Sequence, residues 1–201
     1  MNRIEAILQL RDQTGAGVMA CSKAFDQSDQ NFAQALATLQ ENAAVQAMKQ
    51  TKREALEGMI ALYSHNNGRI GVMVEINTET QYASHTSVFQ DFAHEIALQI
   101  AASAPLYVCE EAIPAQALNE LVSETAEKAR RAGKTIEVID KIVQGVLEKY
   151  RKEQVLLNQA YIRDESITIE QLLNQKISQI GENIVIRRFE RWEIAPDADA
   201  L

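Results

Sequence analysis

The side chains able to do chemistry in this sequence are few, and most stand in patterns that stop short of a reaction. His94-Glu95-Ile96-Ala97-Leu98 begins like the helix of a zinc protease, where two histidines four residues apart hold the metal and the glutamate serves as base. Leu98 occupies the second histidine's place, so one helix face cannot supply both ligands and His94 reads as a helix-surface histidine. His85 has only Glu79 and Asp91 near it in the chain and no third ligand, which argues against a metal there. Cys21 lies beside Met19 and Lys23. A lysine can lower a thiol pKa, but a lone cysteine on a short helix is usually core. Thr14-Gly15-Ala16-Gly17 has a faint likeness to a phosphate loop, yet it lacks the Gly-Lys-Ser/Thr ending that supplies the phosphate lysine and the magnesium hydroxyl, so it reads as a helix–helix turn. Arg187, Arg188 and Arg191 share a strand-like run, where alternation sends some of the arginines to a solvent face. The sequence therefore predicts no enzyme, no catalytic residue, no cofactor and no metal site.

One segment is set differently. Thr80-Gln81-Tyr82-Ala83-Ser84-His85 follows the β-rich run Ile70-Gly71-Val72-Met73-Val74-Glu75-Ile76 and the polar stop Asn77-Thr78-Glu79. A helix starts near Ser87, with Val88, Phe89, Phe92, Ala93, Ile96, Ala97 and Ile100 at helical spacing. Gln81 and Tyr82 thus sit on a short connector mounted between a strand and a helix. The segment alone leaves two readings open, an aromatic side chain that projects and one that tucks into the core.

The elements that would carry these residues follow from periodicity. Ile4, Ile7, Leu8 and Leu10 give one helical face, stopped at Thr14-Gly15-Ala16-Gly17. A second helix is expected from about Val18 to Phe25. A third, capped by Asp29 or Asn31, carries Phe32, Ala35, Leu36, Leu39 and Ala43. Residues 1–48 are read as a three-helix domain and 49–57 as a linker. Residues 58–195 are read as an α+β core with a helical hairpin near 115–160, and 196–201 as a tail. In the core, Met59 to Tyr63 and Ile70 to Val74 flank His65-Asn66-Asn67-Gly68, a hairpin signal. Leu118, Leu121 and Val122 mark one helix ending near Gly133. Ile136, Ile139, Ile142, Val143, Val146, Leu147 and Tyr150 mark the next. Leu172, Leu173, Ile177 and Ile180 mark a last helix, followed by a strand over Ile184 to Ile194. Three strands can pair into one antiparallel sheet with helices over one face. The absence of a GxGxxG turn or repeated βα units speaks against a doubly wound fold.

Composition narrows the class. The 201 residues are 46% hydrophobic and 24% charged, ordinary for a soluble globular protein, with a net charge of −8. Such acidity argues against direct nucleic-acid binding, which needs clustered Lys and Arg. Two cysteines, Cys21 and Cys109, form no disulfide framework and suit a reducing cytosol. No run of about 18 apolar residues predicts a membrane span, and Met1-Asn2-Arg3-Ile4-Glu5 has no signal-peptide character.

Four blocks, in order along the chain, resemble elongation factor Ts, the bacterial and organellar guanine-nucleotide exchange factor for elongation factor Tu. They are Leu10 to Met19 with Cys21, Lys23 and Ala24; Arg53-Glu54-Ala55-Leu56-Glu57-Gly58; Glu75-Ile76-Asn77-Thr78-Glu79-Thr80; and Ile180-Gly181-Glu182-Asn183-Ile184-Val185-Ile186-Arg187-Arg188-Phe189. The length resembles the family's short form. The resemblance implies a ubiquitin-associated-like three-helix domain followed by a sheet-containing core with a helical protrusion. It implies a cytoplasmic protein whose partner is elongation factor Tu, GDP-bound or nucleotide-free, and it leaves homodimer formation open. By the same resemblance, Leu10, Arg11, Thr14, Gly15, Ala16, Gly17, Val18 and Met19 would dock the N-terminal domain on the partner. Thr80, Gln81, Tyr82 and Ala83 stand where the family's Thr-Asp-Phe-Val loop inserts an aromatic wedge and displaces magnesium.

The sequence departs from that pattern in places. Gln81 replaces the aspartate, Tyr82 the phenylalanine and Ala83 the valine, while Ala20 and Ser22 replace an aspartate and a lysine near the docking segment. The lost charges leave a second reading open, a divergent elongation factor Tu-binding protein with weak or no exchange activity.

Overall fold

The computed structural model describes residues 2–194, so the expected tail at 196–201 lies outside the described residues. The chain divides into two compact units, one made of residues up to Ala101 together with those from Glu170 onward, the other of Ala102–Ile169.

Local rules account for the first helices. α1 (Arg3–Thr14) opens on a capping box: the Asn2 side chain accepts from the Glu5 N–H at 2.8 Å, and the Glu5 carboxylate accepts from the Asn2 N–H at 3.0 Å. It closes at Gly15, whose φ of 67° is left-handed and whose N–H donates to the Arg11 carbonyl at 2.8 Å. α2 (Val18–Gln27) and α3 (Phe32–Gln50) follow, and the Asn31 side chain caps α3 by accepting from the Gln34 N–H at 3.2 Å. Their shared core is Ala6, Ile7, Leu10, Cys21, Ala24, Phe25, Ala35 and Leu39. Its alanines let the helices approach closely, which leaves a narrow seam. Ile4 and Leu8, expected on the buried face, are instead 70% and 48% exposed. The seam is already filled by Ala6, Ile7 and Leu10.

β1 (Glu57–His65) and β2 (Ile70–Thr78) form the expected antiparallel hairpin, turning through Asn66, Asn67 and Gly68 at φ 52°, 54° and 84°. Gly58 is required there, because a Cβ would come within 2.2 Å of the Ile76 carbonyl oxygen. A short helix, α4 (Gln81–Ser84), and a long one, α5 (Ser87–Ser103), come next.

In the second unit, α6 (Ala115–Arg131) and α7 (Ile136–Gln154) make the helical hairpin, with Gly133 at φ 69° in the turn. Ala129 and Ile139 are buried, but Ile136, expected on the apolar stripe, is 79% exposed. Side chains on a helix lean toward its N-terminus, so that of its first residue reaches past the seam. The Leu106 and Tyr107 N–H groups both donate to the Gln154 carbonyl, at 2.9 and 3.0 Å, tying the base of the hairpin. A small antiparallel pair, β3 (Ala160–Tyr161) and β4 (Asp164–Thr168), was not anticipated; its strands are too short to show a period.

α8 (Ile169–Ile180) leads to β5 (Ile184–Glu193), which pairs antiparallel with β2 to give the order β1-β2-β5. The register steps from Glu75↔Arg188 to Ile76↔Ile186, so Arg187 is the extra residue of a bulge. Its guanidinium turns back to donate to Asn77 Oδ1 at 3.3 Å and the Ala55 carbonyl at 3.1 Å. One sheet face buries Ala61, Val72, Val74, Ile76 and Ile186. α5 runs along that side, with Tyr63 edge-on to His94 at 5.7 Å and Arg191 donating to the Ala101 carbonyl at 3.2 Å. Arg188 faces solvent as alternation requires, whereas Arg191, only 18% exposed, satisfies a free carbonyl at the α5 terminus. The fold is α+β: among the described residues, eight α-helices, one three-stranded antiparallel sheet and one two-stranded sheet.

Candidate partner-binding site

The connector expected between β2 and α5 is not a loop. Gln81 to Ser84 make one helical turn, and Thr80 caps it, its hydroxyl oxygen accepting from the Ala83 N–H at 3.3 Å. A four-residue helix cannot sustain itself in water, because nucleation costs more than one turn returns. What holds it is its inward side: Ala83 and Ser84 are buried, and α4 packs on β1 and β2. Ser84 donates from its hydroxyl to the Gln81 carbonyl at 2.7 Å. His85 Nδ1 lies 2.7 Å from the same carbonyl, and since a carbonyl only accepts, Nδ1 carries the proton. Thr86 then caps α5 by accepting from the Phe89 N–H at 3.3 Å. Tyr82 is left 84% exposed. Of the two readings open for this side chain, the structure has the projecting one.

The chain segment between α8 and β5 grips this mount from a distance of about a hundred residues in sequence. Glu182 accepts three hydrogen bonds: from the Thr80 hydroxyl at 2.7 Å, the Thr80 N–H at 3.0 Å and the Thr78 hydroxyl at 3.1 Å. In return Glu79 accepts from the Asn183 N–H at 2.7 Å, and the Asn183 side-chain amide donates to the Arg53 carbonyl at 2.8 Å. Arg53 also pairs with Glu79 at 3.5 Å. Sequence reasoning did not assign Glu182, Asn183 or Arg53 a part here; nothing local connects them to Thr80.

The N-terminal segment sorts into two groups. Leu10 and Thr14 are buried, and the Thr14 hydroxyl donates to the Leu10 carbonyl at 2.6 Å, so these two shape the turn. Arg11 and Gly17 are exposed, Gly15 and Ala16 half-buried, and Val18 and Met19 stand 47% and 84% exposed at the start of α2. The turn borders a cleft of about 800 Å³ lined also by Lys23, Asn42, Gln46 and Gln179. Behind it, Cys21 is fully buried, with its Sγ 3.6 Å from the Ala16 carbonyl, and burial pushes its thiol up, against a weaker downward pull from Thr14. That is an inert core cysteine.

His94 is an exposed helix histidine, as its lone position predicts. Among the described residues, no three His, Cys, Asp or Glu side chains converge as metal ligands, and no helix is long and apolar enough to cross a membrane.

A small three-helix module followed by a sheet core, with the Met19 and Tyr82 side chains held out to solvent, places the protein in the α+β class. The family described as Elongation factor TS matches residues 6–178. The chain is 44% identical to elongation factor Ts of Coprothermobacter proteolyticus over 188 residues, 94% of this chain and 95% of that protein. It is 43% identical to that of Caldanaerobacter subterraneus subsp. tengcongensis, covering 94% of each chain. Against the Acetivibrio thermocellus protein it is again 43% identical, over 94% of this chain and 88% of the other. This chain belongs to the elongation factor Ts family.

Proposed function

We propose that this protein is a guanine-nucleotide exchange factor for elongation factor Tu, working in the cytoplasm by binding and without covalent chemistry. The observation that carries the mechanism is Tyr82, 84% exposed on a helical turn whose other side is buried. In this reading residues 1–48 dock through Arg11, Gly15 to Gly17, Val18 and Met19, with Leu10 and Thr14 shaping the turn behind them, the stretch 49–57 links them to the core at 58–195, and Tyr82 enters the partner beside its bound nucleotide. Magnesium tolerates little departure from octahedral geometry and bridges the phosphates to the protein that holds them. A ring driven into that surround displaces the ion and weakens GDP binding; each tenfold loss needs about 1.4 kcal/mol of differential binding. Coupling is reciprocal, so returning nucleotide weakens the factor's own hold and frees it.

The test is release of a fluorescent GDP analogue from elongation factor Tu. Acceleration at micromolar protein is the expected result, and none would sink the proposal. Gln81 supports the runner-up, a binder with weak exchange, because the aspartate of the family pattern is absent. Under that reading Gln81→Asp raises exchange sharply; a wild type already equal to the variant excludes it.

Self-association is the remaining part of the proposal. The outer sheet face leaves Ile60, Leu62, Met73 and Trp192 between 46% and 77% exposed, with Leu62 directly across from Met73. Arg188 and Glu190 edge the same face with opposite charges, so a second copy related by a twofold axis would meet a charge-balanced, apolar surface. Leu62→Asp would then turn a dimer into a monomer by sedimentation; a wild type that is already a monomer at high concentration rejects this.

A further inference from the structure

The geometry points to Glu182 as the positioning residue that holds α4 and so aims Tyr82, an inference that rests on the exchange reading above. The Thr80 hydroxyl has a single proton and it goes to Glu182 Oε1 at 2.7 Å, which leaves an oxygen lone pair to receive the Ala83 N–H. Without the carboxylate, that hydroxyl can rotate and the cap of the turn is no longer specified. Glu182 Oε2 meanwhile takes the Thr80 N–H and the Thr78 hydroxyl, so one carboxylate binds the last residue of β2 and the cap of α4 together.

Glu182 is itself well placed to resist movement. Asn183, next in the chain, is buried and bound to Glu79 and to the Arg53 carbonyl, and Ile184 pairs with Thr78 at the end of the β2–β5 ladder. The direction of Tyr82 is therefore set by the sheet, through Glu182 and the burial of Ala83 and Ser84 against it, and not by the helical propensity of a four-residue turn. The side chain demands are narrow. Aspartate is one methylene short, and glutamine exchanges an accepting oxygen for an NH₂ group that cannot take a bond from a hydroxyl or an N–H.

The deciding experiment measures Glu182→Ala, Glu182→Gln, Tyr82→Ala and the double variant Tyr82→Ala/Glu182→Ala in GDP release from elongation factor Tu. Hydrogen exchange of the Ala83 and Val74 amides is followed in the free protein. Glu182→Ala is expected to lower the maximal release rate by about tenfold, the scale of a lost hydrogen bond to a charged group. The concentration giving half the maximal rate is expected to stay within about threefold, with Glu182→Gln nearer to the alanine variant than to wild type. In the Tyr82→Ala background the same change adds nothing, because it acts through that ring. Exchange at Ala83 rises by about tenfold while Val74, in the middle of β2, keeps its protection. A Glu182→Ala protein with wild-type release and wild-type Ala83 protection overturns the inference. So do effects that multiply in the double variant, or a loss of protection at Val74 equal to that at Ala83, which would make Glu182 a general prop of the sheet. If wild type itself fails to accelerate release, the exchange reading falls, and the Ala83 and Val74 amides alone decide whether Glu182 holds α4.

Discussion

Met19 and Tyr82 are both 84% exposed, and both belong to segments that resemble the family's partner-binding regions, yet they are mounted by opposite means. Met19 stands in the first turn of α2, a ten-residue helix, behind a turn formed by Thr14 and Gly15. The turn that leads into it is built within a few residues in sequence: the Thr14 hydroxyl on the Leu10 carbonyl, the left-handed Gly15 and the Cys21 contact to the Ala16 carbonyl. Tyr82 stands on a turn that has no stability of its own, held by Glu182 and by burial of Ala83 and Ser84. A locally built turn is damaged chiefly by changes in its own few residues. A mount built by distant chain segments can be loosened from far away, and it can also be more rigid than its length allows.

Removing each displayed side chain tests the contrast most directly. Tyr82→Ala is expected to cut the maximal rate of GDP release by about 100-fold, on the scale of a lost aromatic anchor, with a modest change in half-maximal concentration. Met19→Ala should do the reverse, raising the half-maximal concentration by about tenfold with the maximal rate at saturation retained. If the two variants give the same pattern, the division between a docking side chain and an acting one is wrong. Altering the local mount is the next test. Gly15→Ala places a Cβ at φ 67° and 3.1 Å from Gln179 Oε1, and should lower thermal stability by about 1 kcal/mol, with weaker partner binding. Unchanged melting would show that the turn is not set by its glycine. The smallest expected effect is at Gln81, where aspartate should quicken release by about threefold, the range of one exposed charge at about 0.5 kcal/mol. A rise of a hundredfold would favour the weak-exchange reading.

Much of the fold was legible. Asn66-Asn67-Gly68 announces the hairpin, Gly133 separates two stretches of helical period, and the end of α1 follows from Thr14-Gly15-Ala16-Gly17. These signals work because turns and caps are satisfied by neighbours in sequence. Burial was less legible. Ile4, Leu8 and Ile136 fit an apolar stripe but face solvent, since a stripe shows which residues could be buried and the partner helix decides how many are. The bulge at Arg187 was invisible for a similar reason: it exists only in the pairing of β5 with β2.

At the candidate site the division is sharpest. The residue types of Thr80 to Ala83, the absence of a second histidine four residues after His94, and the order of four family-like blocks are properties of the sequence alone. They are enough to indicate an aromatic residue on a connector between a strand and a helix. Whether that ring faces inward or outward, and what points it, depended on the tertiary structure. The decisive bonds join Thr78 and Thr80 to Glu182, and no local propensity encodes a contact between residues more than a hundred positions apart. Only the antiparallel return of β5 alongside β2 brings that carboxylate to the cap of α4.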